Sequence, residues 1–308
     1  MGDTAAPGEH LHEYAAAFHH RVLSRRMTDS AWVALSLIER LGGKTLHALM
    51  MHFNHDPRAA LAAGEDELRR VRGIGPRLAQ QIRAVNLEAV ERAIPAWQAA
   101  GVQILTWHDP AYPARLRALD DAPPTLFVCG RWRARWARSA AIVGTRAPQP
   151  ESLRQAQNLA SALAERGYMI VSGLALGIDT AAHLGALAVP EGFTLAVLGC
   201  GVLDVYPSSN RALAQAVLQR GALVSETHPQ AAPNAGALVA RNRIITGLSD
   251  LVIVVETEAD GGAMHAARFA LAQGRAVYAV DIPASGNRAL IEAGAGVLPA
   301  DINHLTLP

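Results

Sequence analysis

Lysine is almost missing from this 308-residue chain: Lys44 stands alone against 27 arginines. Codon bias suffices to produce that ratio, and the chemical consequence holds whatever its origin. Any phosphate contact must use guanidinium forks or backbone N–H groups. Only two cysteines occur, Cys129 and Cys200, too few and too far apart for a disulfide framework or a zinc site, and this points to a reducing cytoplasm. No run of 18 apolar residues is present, which argues against a membrane-spanning helix. The first twenty residues lack the basic segment and apolar stretch of a secretory leader. No H-E-x-x-H, G-x-S-x-G or related constellation appears, so no metal, no cofactor and no catalytic residue is expected. Net charge is only +1 while half the residues are hydrophobic, which excludes extensive disorder and supplies a sizeable core. A near-neutral chain can still bind nucleic acid through a local basic patch.

Three regions follow from the pattern. Residues 1–26 are polar, rich in alanine and histidine, and read as a flexible tail. Residues 27–100 carry apolar positions at three- and four-residue steps in AWVALSLIERL, TLHALMMHF and RLAQQIRAVNLEAV, as a small all-helical domain requires. Residues 101–308 read as a Rossmann-like domain, beginning with an irregular, extended lead-in that carries Trp107, Tyr112, Pro123 and Pro124. Apolar runs then recur at 140–144, 168–173, 194–199, 222–226, 251–256 and 276–280, with amphipathic helical segments between them. Continuous apolar strands divided by such helices predict an α/β fold with a doubly wound, mostly parallel sheet. Ligands of such sheets sit at the carboxyl ends of the strands.

The residues that follow each strand are therefore the candidates. Gly144-Thr145-Arg146 forms a plausible anion cradle after the first run. SGLALGID follows the second: Gly173 and Gly177 are expected to let the backbone approach a ligand, and Ser172 to offer a hydroxyl. Arg241, Asn242 and Arg243 open a helix, the two arginines pointing different ways, one toward phosphate and the other anchoring the helix. Gly261 and Gly262 begin another. Each alone is an ordinary glycine turn; together they imply a polyanionic or phosphorylated ligand.

Other patterns carry less. GGKT at 42–45 lacks the first glycine of a P-loop and lies in a helical run, and GCGVLD lacks the third glycine of a dinucleotide fingerprint. Asp179 and His183, four apart, are spaced for an acid–base pair or a helix-stabilising hydrogen bond. VRGIGPRLAQQI has the form of a helix-hairpin-helix, in which Gly73, Gly75 and Arg77 would touch DNA phosphates; a tight helical corner used for packing is the alternative. RWRARWAR (131–138) spaces Trp132 and Trp136 along one helix face, which favours packing against the sheet over stacking on a single strand.

The motifs VGTR, SGLALGID, GCGVLDVYPSSN, GALVSE, RNRIITGLS, VVE and RAVYAV occur in an order that resembles the DNA-processing protein A (DprA, or Smf) family, from about residue 104 to 300. The resemblance implies a cytoplasmic protein of natural transformation that binds and protects single-stranded DNA and helps load a RecA-type recombinase. It further implies a homodimer without catalysis, a duplex contact through the helical domain being open. By position it implies DNA contacts at Gly144, Thr145, Arg146, Ser172, Gly173, Gly177, Arg241, Asn242, Arg243, Gly261 and Gly262. Leu176 stands where the family commonly has lysine and Leu238 where it often has phenylalanine. Gly261 replaces a serine, and the C-terminal winged-helix domain of many members is not expected before Pro308. A different class remains: ADGGAMHAAR lies where lysine-decarboxylase-like nucleotide phosphoribohydrolases carry P-G-G-x-G-T-x-x-E, with Glu256 and Asp260 as the nearby carboxylates.

Overall fold

A computed structural model describes residues 29–133 and 136–298. The tail at 1–26 and Arg135 lie outside the described residues. The chain divides into two compact units, Met1–Leu126 and Phe127–Pro308.

The first unit holds α1 (Ser30–Ser36), α2 (Gly43–His52), α3 (Pro57–Ala62), α4 (Glu65–Leu68), α5 (Pro76–Arg83) and α6 (Leu87–Ala99), followed by β1 (Val102–Thr106) and α7 (Ala114–Arg117). Asp29, Asp56 and Asn86 cap α1, α3 and α6 by accepting from first-turn N–H groups, which explains where these short helices start. The lead-in, grouped by sequence with the sheet, packs with the helices. Trp32 Nε1 donates to the Pro124 carbonyl (3.1 Å), and Trp107 Nε1 (2.9 Å) and Tyr112 OH (2.7 Å) donate to Pro123. Proline carbonyls bracketed by indoles hold an extended segment that has no ladder of its own.

The hairpin form at 71–82 is present. Gly73 adopts φ +91° and Gly75 caps α5 from an extended conformation, with Ala79 and Ile82 fully buried behind it. Gly73, Gly75 and Arg77 are exposed while Ile74 is tucked in. The left-handed position is Gly73, not Gly75.

The second unit contains β2 (Thr125–Gly130) from Phe127 onward, then β3 (Arg138–Val143), α8 (Pro150–Glu165), β4 (Tyr168–Ser172), α9 (Ile178–Ala188), β5 (Thr194–Val197), α10 (Arg211–Arg220) and β6 (Ala222–Ser225). It continues with α11 (Ala235–Ala240), α12 (Asn242–Gly247), β7 (Leu251–Val254), α13 (Ala263–Ala272), β8 (Ala276–Val280), α14 (Ser285–Glu292) and β9 (Gly296–Leu298). The strand order is β2-β6-β5-β4-β3-β7-β8-β9. β2 runs antiparallel to β6, and the other pairs are parallel. Every residue of β4, β5, β6 and β7 is buried, as strands covered on both faces require. Ile142, Ile170 and Ile253 share one core with Leu159 and Leu163 of α8 and Ile178 of α9.

All six expected strands form. β1, β2 and β9 lie outside the expected runs: β1 carries Gln103 and opens the irregular lead-in, β2 follows directly on Pro123-Pro124, and β9 has only three residues. The described residues of RWRARWAR, 131–133 and 136–138, are not helical. They form an irregular connection from β2 into β3, and the two indoles are half-buried and meet edge to face at 5.7 Å. The four-residue spacing therefore reflects no helix face here.

From β3 the chain steps to β4, β5 and β6 on one side; β7 lies on the other side of β3 and leads outward to β8 and β9. The winding reverses between β3 and β7. A crevice opens outside their carboxyl ends, where such sheets bind ligands.

Candidate nucleic-acid interface

Gly144-Thr145-Arg146 leaves β3 at that reversal. Thr145 N–H donates to the Glu256 carbonyl beyond β7 (2.7 Å), and Ile178 N–H of α9 donates to the Thr145 carbonyl (3.2 Å). The turn is thus pinned from both sides, and its close packing explains the glycine. A Cβ at Gly144 would stand 2.5 Å from Ile178 Cγ1 and 2.9 Å from the Glu256 carbonyl oxygen. Arg146 itself is exposed, and no hydrogen bond or ion pair ties its side chain to another described residue. An always-charged fork held on a rigid turn is a ready phosphate ligand.

The second turn serves a different purpose from the one expected. Ser172 is fully buried and donates to the Ile142 carbonyl (2.7 Å), so its hydroxyl is spent inside the sheet. Gly173 is needed because the Arg241 guanidinium lies against it, in the volume that a Cβ would fill. Gly177, at φ +77°, lies against the Thr145 carbonyl and lets α9 start there. These glycines bring protein to protein.

Arg241 is only 6% exposed. It donates to the carbonyls of Gly173 and Val197 (2.9 Å to the latter) and lies 3.6 Å from Asp179. Asp179 also accepts from the N–H groups of Gly173 (3.1 Å) and Ala175 (3.3 Å). Burial raises the Asp179 carboxyl above its usual range, against the pull of Arg241 and the backbone donors, and burial lowers the Arg241 guanidinium. The pair cross-links β4, β5, α9 and α12 beneath the crevice. Arg243, expected to face the other way, does so: it pairs with Glu226 after β6 and anchors α12. The structure thus gives both arginines anchoring partners and leaves Arg146 as the uncommitted cation.

Asp179 and His183 do not bond each other, contrary to both readings of their spacing. His183 Nδ1 meets Thr194 Oγ1 (2.7 Å), whose own proton goes to the Ile170 carbonyl (2.8 Å), so Nδ1 is the donor. Burial, with Arg241 nearby, lowers this imidazole to about 3. It is a neutral core residue.

One depression gathers Arg146, Gly173, Leu176 and Arg241 with Ala175, Tyr206, Pro207 and Leu238. Leu176 and Tyr206 are 45% and 42% exposed. A cation beside exposed apolar and aromatic surface can take a phosphate and a base face together. Tyr206 lies within the GCGVLDVYPSSN motif, yet the motif alone assigns its ring no role; an aromatic beside a proline in a glycine-bearing loop was the available signal. At the fourth element, Gly261 is packed against Thr257 and Glu258, while the position of Gly262, the N-cap of α13, is open. Among the described residues no cluster of histidine, cysteine or carboxylate side chains could hold a metal, and no helix is long and apolar enough to cross a membrane.

Comparison with known proteins agrees with this geometry. A family model described as DNA recombination-mediator protein A matches residues 103–306. Protein Smf of Synechocystis sp. is 35% identical over 81% of this chain and 63% of its own length. Protein Smf of Escherichia coli is 37% identical over 72% of this chain and 61% of its own length. The chain therefore spans about three-fifths of these relatives. Among solved structures, DNA processing protein A from Streptococcus pneumoniae superposes with a TM-score of 0.73 at 27% identity, covering 88% of this chain and 95% of that one. DNA processing protein A from Helicobacter pylori, whose structure is described with its single-stranded DNA binding mode, gives a TM-score of 0.58 at 32% identity over 63% of this chain and 90% of that one. The matched span takes in every turn of the carboxyl edge, and on that ground the chain belongs to the DNA recombination-mediator protein A family.

Proposed function

We propose that the carboxyl edge of the sheet binds single-stranded DNA without reading its sequence, as part of the cytoplasmic processing of DNA during transformation. The observation that carries the reading is Arg146, an uncommitted guanidinium on a pinned turn at the winding reversal, beside exposed Tyr206 and Leu176. Phosphate contacts position a strand but carry no sequence information, and an aromatic face stacks on any base. The Helicobacter pylori relative, described with its single-stranded DNA binding mode, supports the ligand class.

The reading includes no catalysis. A hydrolase of N-glycosidic bonds needs a carboxylate free to act on the sugar or its water. Glu256 accepts from the Gln149 N–H through its side chain (2.9 Å) and holds Thr145 through its carbonyl, Asp179 and His183 are buried, and exposed Asp260 stands in ADGGAMHAAR without the G-T pair and glutamate of the hydrolase motif. Incubation with nucleoside monophosphates separates the classes: free base appearing would favour the enzyme. Titration with oligothymidylate should show affinity falling with salt, with a log–log slope of about −0.7 per phosphate neutralised. A flat salt response refutes the reading.

The proposal extends to a homodimer that engages one strand with two clefts and hands it to a RecA-type recombinase. A single shallow cleft offers few contacts, and linking two would raise apparent affinity by about 10²-fold or more once a strand spans both. Sedimentation and a length series test this: a monomer at micromolar concentration, with affinity rising smoothly with length, rules the dimer out.

A further inference from the structure

We propose that the amino-terminal end of the sheet carries a second contact for single-stranded DNA, built from Arg131, Trp132, Arg133, Trp136 and Arg138. It lies at the opposite end of β3 from Arg146 and goes beyond the carboxyl-edge reading, though it takes the same class of ligand.

The connection from β2 into β3 is anchored at its base by Arg131 N–H, which donates to the Gly221 carbonyl (2.7 Å). From there it sets out cations and aromatics in alternation. Trp132 and Trp136 are half-buried, their rings 5.7 Å apart at 86°, so neither is absorbed into the core. Arg133 places its guanidinium carbon 4.5 Å from the centre of the Phe193 ring, and Arg138 places its own 5.6 Å from that of Tyr168. Both rings are buried while both arginines are exposed. Lying on a ring occupies the face of a guanidinium and leaves its in-plane N–H donors available, so each fork is held in place with its hydrogen-bonding edge unspent. The nearby Asp250 carboxylate is committed to Ser139, accepting from its N–H (2.7 Å) and hydroxyl (2.9 Å). No ion pair involves Arg131, Arg133 or Arg138 among the described residues.

Charge and ring together select the occupant. Three arginines fit a polyanion, and half-buried indoles outside the core fit bases whose faces are open, which a single strand offers and a duplex hides. An acidic peptide would use the cations and leave the indoles without a role. The six residues of β3, at about 3.3 Å each, separate the two ends by about 20 Å. A strand cannot pass through the core and must cross a helical layer about 10 Å thick on the way out and back, a path of about 40 Å, so about 6 extended nucleotides seated at Arg146 fall short of this end and about 30 reach it.

The test uses the whole chain with oligothymidylates of about 6 and about 30 nucleotides. Arg131→Gln/Arg133→Gln/Arg138→Gln should lower long-strand affinity about 10-fold or more and reduce the salt slope by up to about 2, leaving short-strand affinity unchanged. Trp132→Phe/Trp136→Phe, which keeps ring and charge, guards against misfolding of the triple variant and should weaken long-strand binding by less. Photocrosslinking of the long strand should place adducts within 131–138. Long-strand affinity and salt slope unchanged in the triple variant, or adducts confined to the carboxyl edge, overturn the proposal, as an acidic-protein contact would. Failure of the parent to bind the short strand would refute the carboxyl-edge reading instead, leaving the long-strand result to decide this one.

Discussion

Arg146 and Arg241 line the same depression and carry the same charge, yet their replacement should fail in opposite ways. Arg146 is exposed and uncommitted, so Arg146→Ala should leave stability within about 0.5 kcal/mol of the parent, as for ordinary surface changes. On the proposed reading it should remove one charged hydrogen bond to phosphate, worth about 1.5–3 kcal/mol, a fall in short-strand affinity of about 10- to 150-fold. The salt slope should lessen by about 0.7. Arg241→Ala instead strands Asp179, a buried carboxylate, and leaves the Gly173 and Val197 carbonyls without their donor. Breaking a buried pair from one side costs about 3–5 kcal/mol, which for a unit of this size lowers Tm by about 6–20 °C. Gly173→Ala should reach the same end by another route, since its methyl would occupy the place of the guanidinium. Thermal melts beside fluorescence-anisotropy titrations of a labelled oligothymidylate separate the two behaviours. The assignment is refuted if Arg146→Ala loses stability as Arg241→Ala does, or if Arg241→Ala melts like the parent and merely binds less.

Tyr206→Ala should weaken short-strand binding by about 1–3 kcal/mol, the worth of one stacked base, while Tyr206→Phe keeps it; equal losses in both titrations would mean that the hydroxyl acts instead of the ring. His183 is neutral in the fold with its imidazole lowered to about 3, whereas the unfolded chain protonates it near 6.5. Its contribution is therefore complete above pH 6.5 and declines by up to about 1.4 kcal/mol per pH unit from there toward pH 3, a slope that His183→Gln should remove from the pH dependence of Tm. In the helical hairpin, Gly73→Ala should cost about 1–2 kcal/mol because its φ is +91°, while Gly75→Ala, extended and with open space at its Cβ, should be nearly neutral; circular dichroism melts decide, and the reverse order would refute the turn.

The sequence determined by itself the class of sheet, its six central strands and the edge that carries the candidate site. Uninterrupted apolar runs such as LVIV, flanked by amphipathic helices, have only one stable use, burial on both faces, and the reversal of winding then places the crevice. The alternation of Arg131, Trp132 and Arg133 was equally visible, but a four-residue spacing of tryptophans carries meaning only on a helix, and the described residues there are not helical. What each arginine is for was not legible. Arg146, Arg241 and Arg243 carry the same side chain, and only the folded chain shows that Asp179 claims one and Glu226 another. The same holds for glycine: a turn that could admit a ligand and one filled by a neighbouring guanidinium read alike, as at Gly173. Periodicity is local and survives in the sequence. The partner of a buried charge is contributed by a strand or helix tens of residues away, and tertiary packing alone decided it.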